Sequence, residues 1–544
     1  MLKAGPCLTA LKAEHIVNYN PNLPKNYKQA QKLSDFDSRW HPAMKQQFER
    51  LESRNTWELC PRPKDEKVLP GKWVFDEKID PDNSIRARAR WVVCGNYEED
   101  SWAIQDTYAA VANATSLRVF IALAAIKNLE IHQFDFDTAY LNATIPLGTN
   151  IYVEQPQGFA RNPDLVCRLK NALYGLRRSA LYWFKTLTPV MRKLGWEPFD
   201  SDICLFKHEK LGALIILYVD DLLIAAPTVN DIYEIRDAIG KFFKLKNMGP
   251  AKRFLGYEIV RDRDKRQIYL SQEGFARKIL LKYGWDLMNP IQTPWPANLQ
   301  LPKQWIPKEI EKKAYIKRTR SVNYLATGTR PDICYTVSKL CEANAGPSDE
   351  HLALMKHLAR YIKYTPAISI RLGGKLPDPR LNLHAFADAA FVDDVLTRHS
   401  TGGHVIFYGG GPVHWKSRKQ TIVTLSSTEA EFINLTPTGL AVKWIKQILT
   451  EAESPQDQSL ILFTDSANAR KVVLNLLNSA RTRNIDVRYK WIIQEVEREV
   501  FKLEHIAGTE MVADGLTKPL GWEKHAKFVK LLGFVERPEG LDLN

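Results

Sequence analysis

The run Ile216–Ala226, ILYVDDLLIAA, places two adjacent carboxylates, Asp220 and Asp221, at the centre of a segment that otherwise reads as buried strand. Nothing else in the chain narrows its fold as much. The apolar runs here, such as LGALIILYV, are about half the ~20 residues a membrane crossing needs, so they read as core. Like charges side by side repel, and burial raises the cost of both. A tight turn relieves the conflict, with YVDD ending one strand and LLIA returning as the next. Bound cations relieve it further. Two-metal phosphoryl transfer needs carboxylates that hold two divalent ions ~4 Å apart, one activating a 3′-oxygen and one neutralising the leaving group. The plain alternative is a surface hairpin with an Asp-rich turn.

A third carboxylate from another strand would complete such a site. QFDFDTAY offers Asp135 and Asp137, which alternate onto one face, and periodicity does not choose between them. The net charge of +14 over 544 residues favours a polyanionic partner, nucleic acid first and anionic membrane second. A composition 45% hydrophobic and 25% charged is ordinary for a soluble globular protein, and the length is enough for roughly three or four domains. Seven scattered cysteines (Cys7, Cys60, Cys94, Cys167, Cys204, Cys334 and Cys341) form no CxxC pair, which excludes a zinc module and fits reduced thiols in an intracellular protein. The N-terminus has no signal-peptide core.

Residues 1–34 read as a polar lead-in. Asp35 to about Asn55 reads as a helix, with Trp40, Met44, Phe48 and Leu51 at intervals of three and four. KWVFDEKIDPDNSIRARARWVVCG is a hairpin turning at DPDNS, with Arg86, Arg88 and Arg90 on one face. SLRVFIALAAIKNLE is an apolar helix, and a helix-rich stretch runs to about Leu194. Residues 302–320 carry five Lys and two Arg against two Glu, a basic connector or a solvated helix face. LPDPR, Leu376–Arg380, marks a boundary before a second strand-rich unit.

NTWELCPRPKDEKVLPGKWVF, HQFDFDTAYLNATIPLGTNIYVEQPQGF, VCRLKNALYGLRRSALYWF, LYVDDLLIA, FLGYEIV, YLSQEGFARKIL and NYLATGTRPDICY stand in one order. Together they resemble the reverse transcriptases of copia-type LTR retrotransposons, from about Tyr27 to Leu520. The resemblance implies that Asp135, Asp220 and Asp221 are the metal-binding polymerase triad. It implies that Phe136 contributes a backbone carbonyl, that Tyr140 lies under the incoming sugar and excludes a 2′-hydroxyl, and that Arg90 meets the triphosphate. Asp137 falls at a variable position and reads as solvent-facing or turn-stabilising. FLGYEI resembles the primer-gripping hairpin. LRRSA stands where the family has LKQAP, so Ala180 replaces a proline and a looser template-contacting turn is expected.

A second acidic set follows. LNLHAFADAAF ends a strand at Asp388, SSTEAEFINL opens a helix with Glu429 in its first turn, SLILFTDSANA ends a strand at Asp465, and HIAGTEMVADGLTKPL carries Asp514. Four carboxylates on separate elements suit a two-metal nuclease in which water attacks and an RNA 3′-oxygen leaves. Local roles compete: Ser426 and Glu429 fit a capping box, and Asp465 would cap the following helix. The set, with STGGHVIFYGGGPVHWKSRKQTIVTLSSTEAEF between its first two members, resembles the copia-type RNase H domain, in which Asp388, Glu429, Asp465 and Asp514 bind metal. Asn484 replaces a histidine in RTRNIDVRY, and the histidine-bearing loop of retroviral RNase H is missing.

The expectation is therefore an α/β (α+β) chain, a right-hand palm, fingers and thumb followed by an RNase H-like mixed sheet. Its divisions are 1–34 lead-in, 35–245 fingers and palm, 246–300 primer grip and thumb, 301–380 connector, 381–520 RNase H and 521–544 tail. Expected cofactors are two Mg²⁺ per site, with Mn²⁺ as substitute. Expected partners are an RNA template, a DNA or tRNA primer, RNA/DNA hybrid and deoxynucleoside triphosphates, with no membrane and no assignment of oligomeric state. The expected location is intracellular: cytoplasmic particles, with nucleus and mitochondria as further sites. The competing reading is a decayed or co-opted element product that only binds RNA. A group II intron maturase lacks the RNase H portion. No protease or integrase segment is recognised, which fits a processed product, a truncated copy or a fragment.

Overall fold

The computed structural model describes residues 23–79, 85–98, 112–297, 299–301, 312–376, 378–394, 396–456, 458–476 and 487–536. In it the opening motif forms the expected hairpin. Strands Ala213–Tyr218 and Asp221–Ala226 pair antiparallel, with Tyr218 opposite Asp221. Their side chains are buried almost without interruption, as befits strands covered on both faces. The expectations for residues 1–22, the turn at 80–84, residues 302–311, Asn484 and residues 537–544 fall outside the described residues.

The chain divides into two compact units. The first comprises residues 1–112 and 131–249. Its main sheet has six strands in the order Leu245–Pro250, Glu130–Phe136, Asp221–Ala226, Ala213–Tyr218, Leu205–His208 and Trp196–Pro198. The helix Ser179–Lys193 buries Trp183, Leu187 and Met191 in the same core. The Gly71–Ile79 and Ile85–Val93 hairpin sets Trp73 opposite Trp91 and Val74 opposite Arg90. The stretch before Leu194 is less helical than expected. Tyr152–Val153 and Leu165–Leu169 are strands of a small sheet with Trp57–Pro61, in which Val166, Cys167 and Leu169 are buried and Arg168 is exposed.

The second unit comprises residues 113–130 and 250–544. One sheet runs Arg253–Phe254, Tyr257–Asp262, Gln267–Ser271, Ile368–Gly373 and Phe534–Glu536. The other runs Gly411–Lys419, Thr401–Tyr408, Leu383–Ala390, Leu460–Thr464 and Phe501–His505. Its first three strands are antiparallel and its last three parallel, the mixed sheet expected of an RNase H-like fold.

Two boundaries differ from expectation. The helix Ala114–Ile126, read within the fingers and palm, belongs to the second unit. Apart from Thr115, Ser116 and Arg118 it is apolar, and it is buried on every face from Thr115 to Ala125. Its Arg118 donates to the carbonyls of Val413 (2.7 Å), Thr327 (2.9 Å) and Gly328 (2.6 Å), and stacks 4.0 Å over the Trp415 ring. Residues 521–544, read as a tail, supply the helix Trp522–Leu531 and the strand Phe534–Glu536, because Phe528, Leu532 and Phe534 form an apolar face between lysines. Among the described residues no helix is long and apolar enough to cross a membrane.

Candidate active sites

In the first unit a cavity of about 190 Å³ has Asp135 and Asp220 in its wall. Arg86, Arg88 and Arg90, alternate residues of one strand, also line it, with Arg50 and Lys246. The cavity thus sets carboxylates against a cluster of cations. The turn that carries Asp220 is braced from two sides. Phe136 N–H donates to the Asp220 carbonyl at 2.7 Å, and the buried Trp183 indole donates to the Val219 carbonyl at 2.7 Å. Asp221 is not among the lining residues, and its Oδ1 accepts a long 3.4 Å bond from Gln133 Nε2. Asp137 forms ion pairs with Arg50 (3.8 Å) and Arg54 (3.9 Å), which ties it to the helix His41–Ser53 and makes it more than solvent-facing.

Tyr140 is half-buried and does not line the cavity. Tyr174 does, and residue-by-residue reading passed over it. Its ring meets Tyr140 edge-on at 4.7 Å, and its hydroxyl lies 3.5 Å from Asp220 Oδ2. Burial first, then the Asp220 charge, hold both phenols above their ordinary value. Gly175, at φ +99°, lets this turn press onto the hairpin, because a Cβ there would meet the Val93 carbonyl oxygen at 1.9 Å. The LRRSA turn is not loose: Ser179 Oγ donates to Leu173 O (2.6 Å), and Arg177 donates from N–H to Glu98 (2.8 Å) and from Nε to Gly95 O (2.9 Å).

In the second unit Asp388 lies near the end of a central strand, Asp465 directly follows the neighbouring parallel strand, and Asp514 sits in the turn Val512–Leu516. Their oxygens approach within 4.8 Å of one another, a convergence that no other such trio reaches among the described residues. Thr517 Oγ1 donates to Asp388 Oδ2, and Lys518 Nζ lies 2.8 Å from Asp514 and 3.8 Å from Asp388. Burial, then the neighbouring carboxylate, pushes Asp465 and Asp514 above the usual range. Burial opposes the Lys518 charge, but Asp388 and Asp514 outweigh it and hold the ammonium up.

Glu429 does not join this cluster. Its Oε2 accepts from Leu425 N–H at 2.7 Å and its own N–H donates to Ser426 Oγ at 3.1 Å, so it is consumed in capping its helix. The fourth carboxylate is Glu431, about 200° further round the helix Ser427–Glu451. It is 9% exposed, its Oε2 has no hydrogen-bond partner among the described residues, and burial with the charges of Asp388 and Asp465 raises it far above the usual range. The signal was present in the sequence as the second acid of TEAEF.

The model of the family described as "Reverse transcriptase (RNA-dependent DNA polymerase)" matches residues 54–297. The putative transposon Ty5-1 protein of Saccharomyces cerevisiae is 31% identical across its full length, covering 57% of this chain. The chain belongs to the reverse transcriptases of copia-type retrotransposons. Similar relatives include the retrovirus-related Pol polyproteins from transposon TNT 1-94 of Nicotiana tabacum (34% identical, 90% of this chain, 37% of that one) and transposon RE2 of Arabidopsis thaliana (30%, 92% and 34%). This reverse transcriptase therefore spans about a third of the length of those two relatives. Among solved structures, the foamy viral protease-reverse transcriptase in complex with double-stranded DNA aligns with a TM-score of 0.43 at 12% identity, over 86% of this chain and 69% of that one.

Proposed function

We propose that the chain is an RNA-directed DNA polymerase that also degrades the RNA of RNA/DNA hybrids. The observation that carries the second activity is the convergence of Asp388, Asp465 and Asp514 to within 4.8 Å, with the buried Glu431 feeling the charges of Asp388 and Asp465. Among the described residues this all-carboxylate donor set, with Glu431 Oε2 lacking a hydrogen-bond partner and the Lys518 ammonium beside Asp514, is short of positive charge, and hard divalent cations fit it. Mg²⁺ or Mn²⁺ held there would lower the pKa of the attacking water and neutralise charge on the scissile phosphate. Thr517 fixes the Asp388 carboxylate, and Lys518 offsets part of the local negative charge.

In the polymerase site Asp135 and Asp220, with Asp221, would hold the ions that serve the primer 3′-oxygen. Arg86, Arg88 and Arg90 would receive the triphosphate, for which guanidinium forks suit the oxygens. Tyr140, packed on Tyr174, would limit space at the sugar. The substrates on this reading are an RNA template, a DNA or tRNA primer and deoxynucleoside triphosphates.

The test is primer extension and hybrid cleavage by purified protein, with and without Mg²⁺. Asp220→Asn should remove synthesis and spare cleavage, and Asp465→Asn should do the reverse. Loss of both activities in either folded variant contradicts the two-site reading. RNA binding without either activity in the unaltered chain would favour an RNA-binding element product.

A further inference from the structure

In the second unit a cavity of about 260 Å³ lies between the helix Ser427–Glu451 and the strands Thr401–Tyr408 and Gly411–Lys419. His404, Lys416, Arg418, Asn434 and Thr436 line it. Among the described residues, two donors of this lining make no hydrogen bond: His404 Nε2, on a residue 3% exposed, and Thr436 Oγ1, on a residue 6% exposed; Gln420, also in the lining, leaves its Oε1 unpartnered while its Nε2 donates to the Ala430 carbonyl at 2.8 Å. Buried polar atoms are rarely left unpaired, so several at one cavity point to something that satisfies them.

The surroundings indicate its charge. Lys416 and Arg418 are alternate residues of one strand and share a face. Both are exposed, and among the described residues neither forms an ion pair, whereas the adjacent Lys419 reaches Glu342 at 2.8 Å and also Asp394. His404 is fixed by stacking on His414 at 5.3 Å, and the Nδ1 of His414 shares a 2.9 Å hydrogen bond with Thr115 Oγ1. Burial and the nearby Lys416 charge push His404 down to about 3, so it is a neutral ring with one N–H to offer. Asn434 joins this cavity to the carboxylates: its Nδ2 donates to the carbonyls of Asp388 and Gly403, both at 2.8 Å, one helical turn after Glu431.

We propose that this cavity is an oxyanion site that takes a phosphate group, with Lys416 and Arg418 supplying charge and Thr436 and His404 the short-range hydrogen bonds. The group is either a backbone phosphodiester of the bound hybrid, which rests on the RNase H reading, or a free phosphate or nucleotide, which does not.

Two measurements on the full chain separate these sources. Inorganic phosphate is titrated calorimetrically against matched chloride, into the unaltered protein, a Lys416→Gln/Arg418→Gln variant and a Thr436→Val variant. Saturable phosphate binding should weaken at least ~tenfold in the double variant and ~threefold or more in Thr436→Val. Hybrid affinity is then followed against salt, and the double variant should flatten the slope of log K against log salt by about one to two. Lost phosphate binding with a flattened slope assigns the site to the hybrid backbone. Lost phosphate binding with an unchanged slope assigns it to a free phosphate or nucleotide. No saturable phosphate binding, or binding unaffected by Thr436→Val, overturns the proposal and leaves a solvated basic face beside hydrated polar groups. Phosphate binding without any hybrid cleavage would sink the RNase H reading and leave this site standing.

Discussion

Trp183 donates its indole N–H to the carbonyl of Val219 at 2.7 Å, and Val219 is a β-branched residue held at φ +60°. Val219 is the first of the two residues between the paired Tyr218 and Asp221, a position that normally favours glycine. Such strain costs ~1–3 kcal/mol and persists only where the surroundings enforce it. Trp183→Phe keeps an aromatic ring but removes the donor. It should lower the melting temperature of the chain by an amount equivalent to ~1–3 kcal/mol and reduce DNA synthesis by ~tenfold or more as Asp220 loses its position, while hybrid cleavage survives. Unchanged synthesis in a destabilised protein would show that the indole serves packing alone.

The two acids of TEAEF should separate cleanly. Glu431→Gln should cut hybrid cleavage by at least ~100-fold, as expected when a metal ligand is lost, and leave primer extension intact. Glu429→Gln should cost no more than ~0.5–2 kcal/mol of helix stability through its cap and spare both activities. The reverse pattern would restore Glu429 to the site.

A pH effect follows from the raised carboxylates. Asp465, Asp514 and Glu431, the last up to about 10, bind protons more tightly folded than unfolded. Their contribution to stability is present below the ordinary carboxylate range and is lost as pH climbs toward 10. Metal-free protein should therefore melt at progressively lower temperature between pH 5 and pH 9. Mg²⁺ binds the deprotonated groups, so its stabilising effect should grow over the same interval. Melting curves in chelator and in Mg²⁺ check this, and parallel pH profiles would contradict it.

Tyr140 meets Tyr174 edge-on, and only Tyr174 lines the cavity. If the pair limits the space for a 2′-hydroxyl, Tyr140→Ala should raise ribonucleotide use relative to deoxyribonucleotide use, and a tenfold shift corresponds to ~1.4 kcal/mol. kcat/KM for matched nucleotides on one template decides, alongside a melting curve. Equal losses for both substrates with a lower melting temperature would make Tyr140 a packing residue.

What could be read in the sequence was what local pattern determines. The 213–226 hairpin, the arginine face at 86–90 and the strand-end positions of Asp388 and Asp465 follow from alternation and turn chemistry alone. Glu431 was hidden because its neighbour two residues earlier satisfies a capping pattern, and only the direction of the helix face distinguishes them. Tyr174 sits in an irregular turn, where no periodicity reports which way a ring points. The setting of the Ala114–Ile126 helix was illegible for another reason. Its partners are remote in sequence, Arg118 and Val413 lying 295 residues apart.

That separation bears on how the chain is made. During synthesis the Ala114–Ile126 helix emerges long before the strand Gly411–Lys419 that covers it, and its apolar surface has no native shelter in the interval. Closing so long a loop is slow, and exposed apolar surface invites aggregation. A fragment ending near residue 250 should therefore be poorly soluble, although it holds every residue of the first unit. A fragment of residues 381–544 would lack the stacking partner of Trp415. Transplanting the mixed sheet of the second unit into another chain would require residues 113–130 to travel with it, so the linear order of this gene does not mark where its parts can be cut.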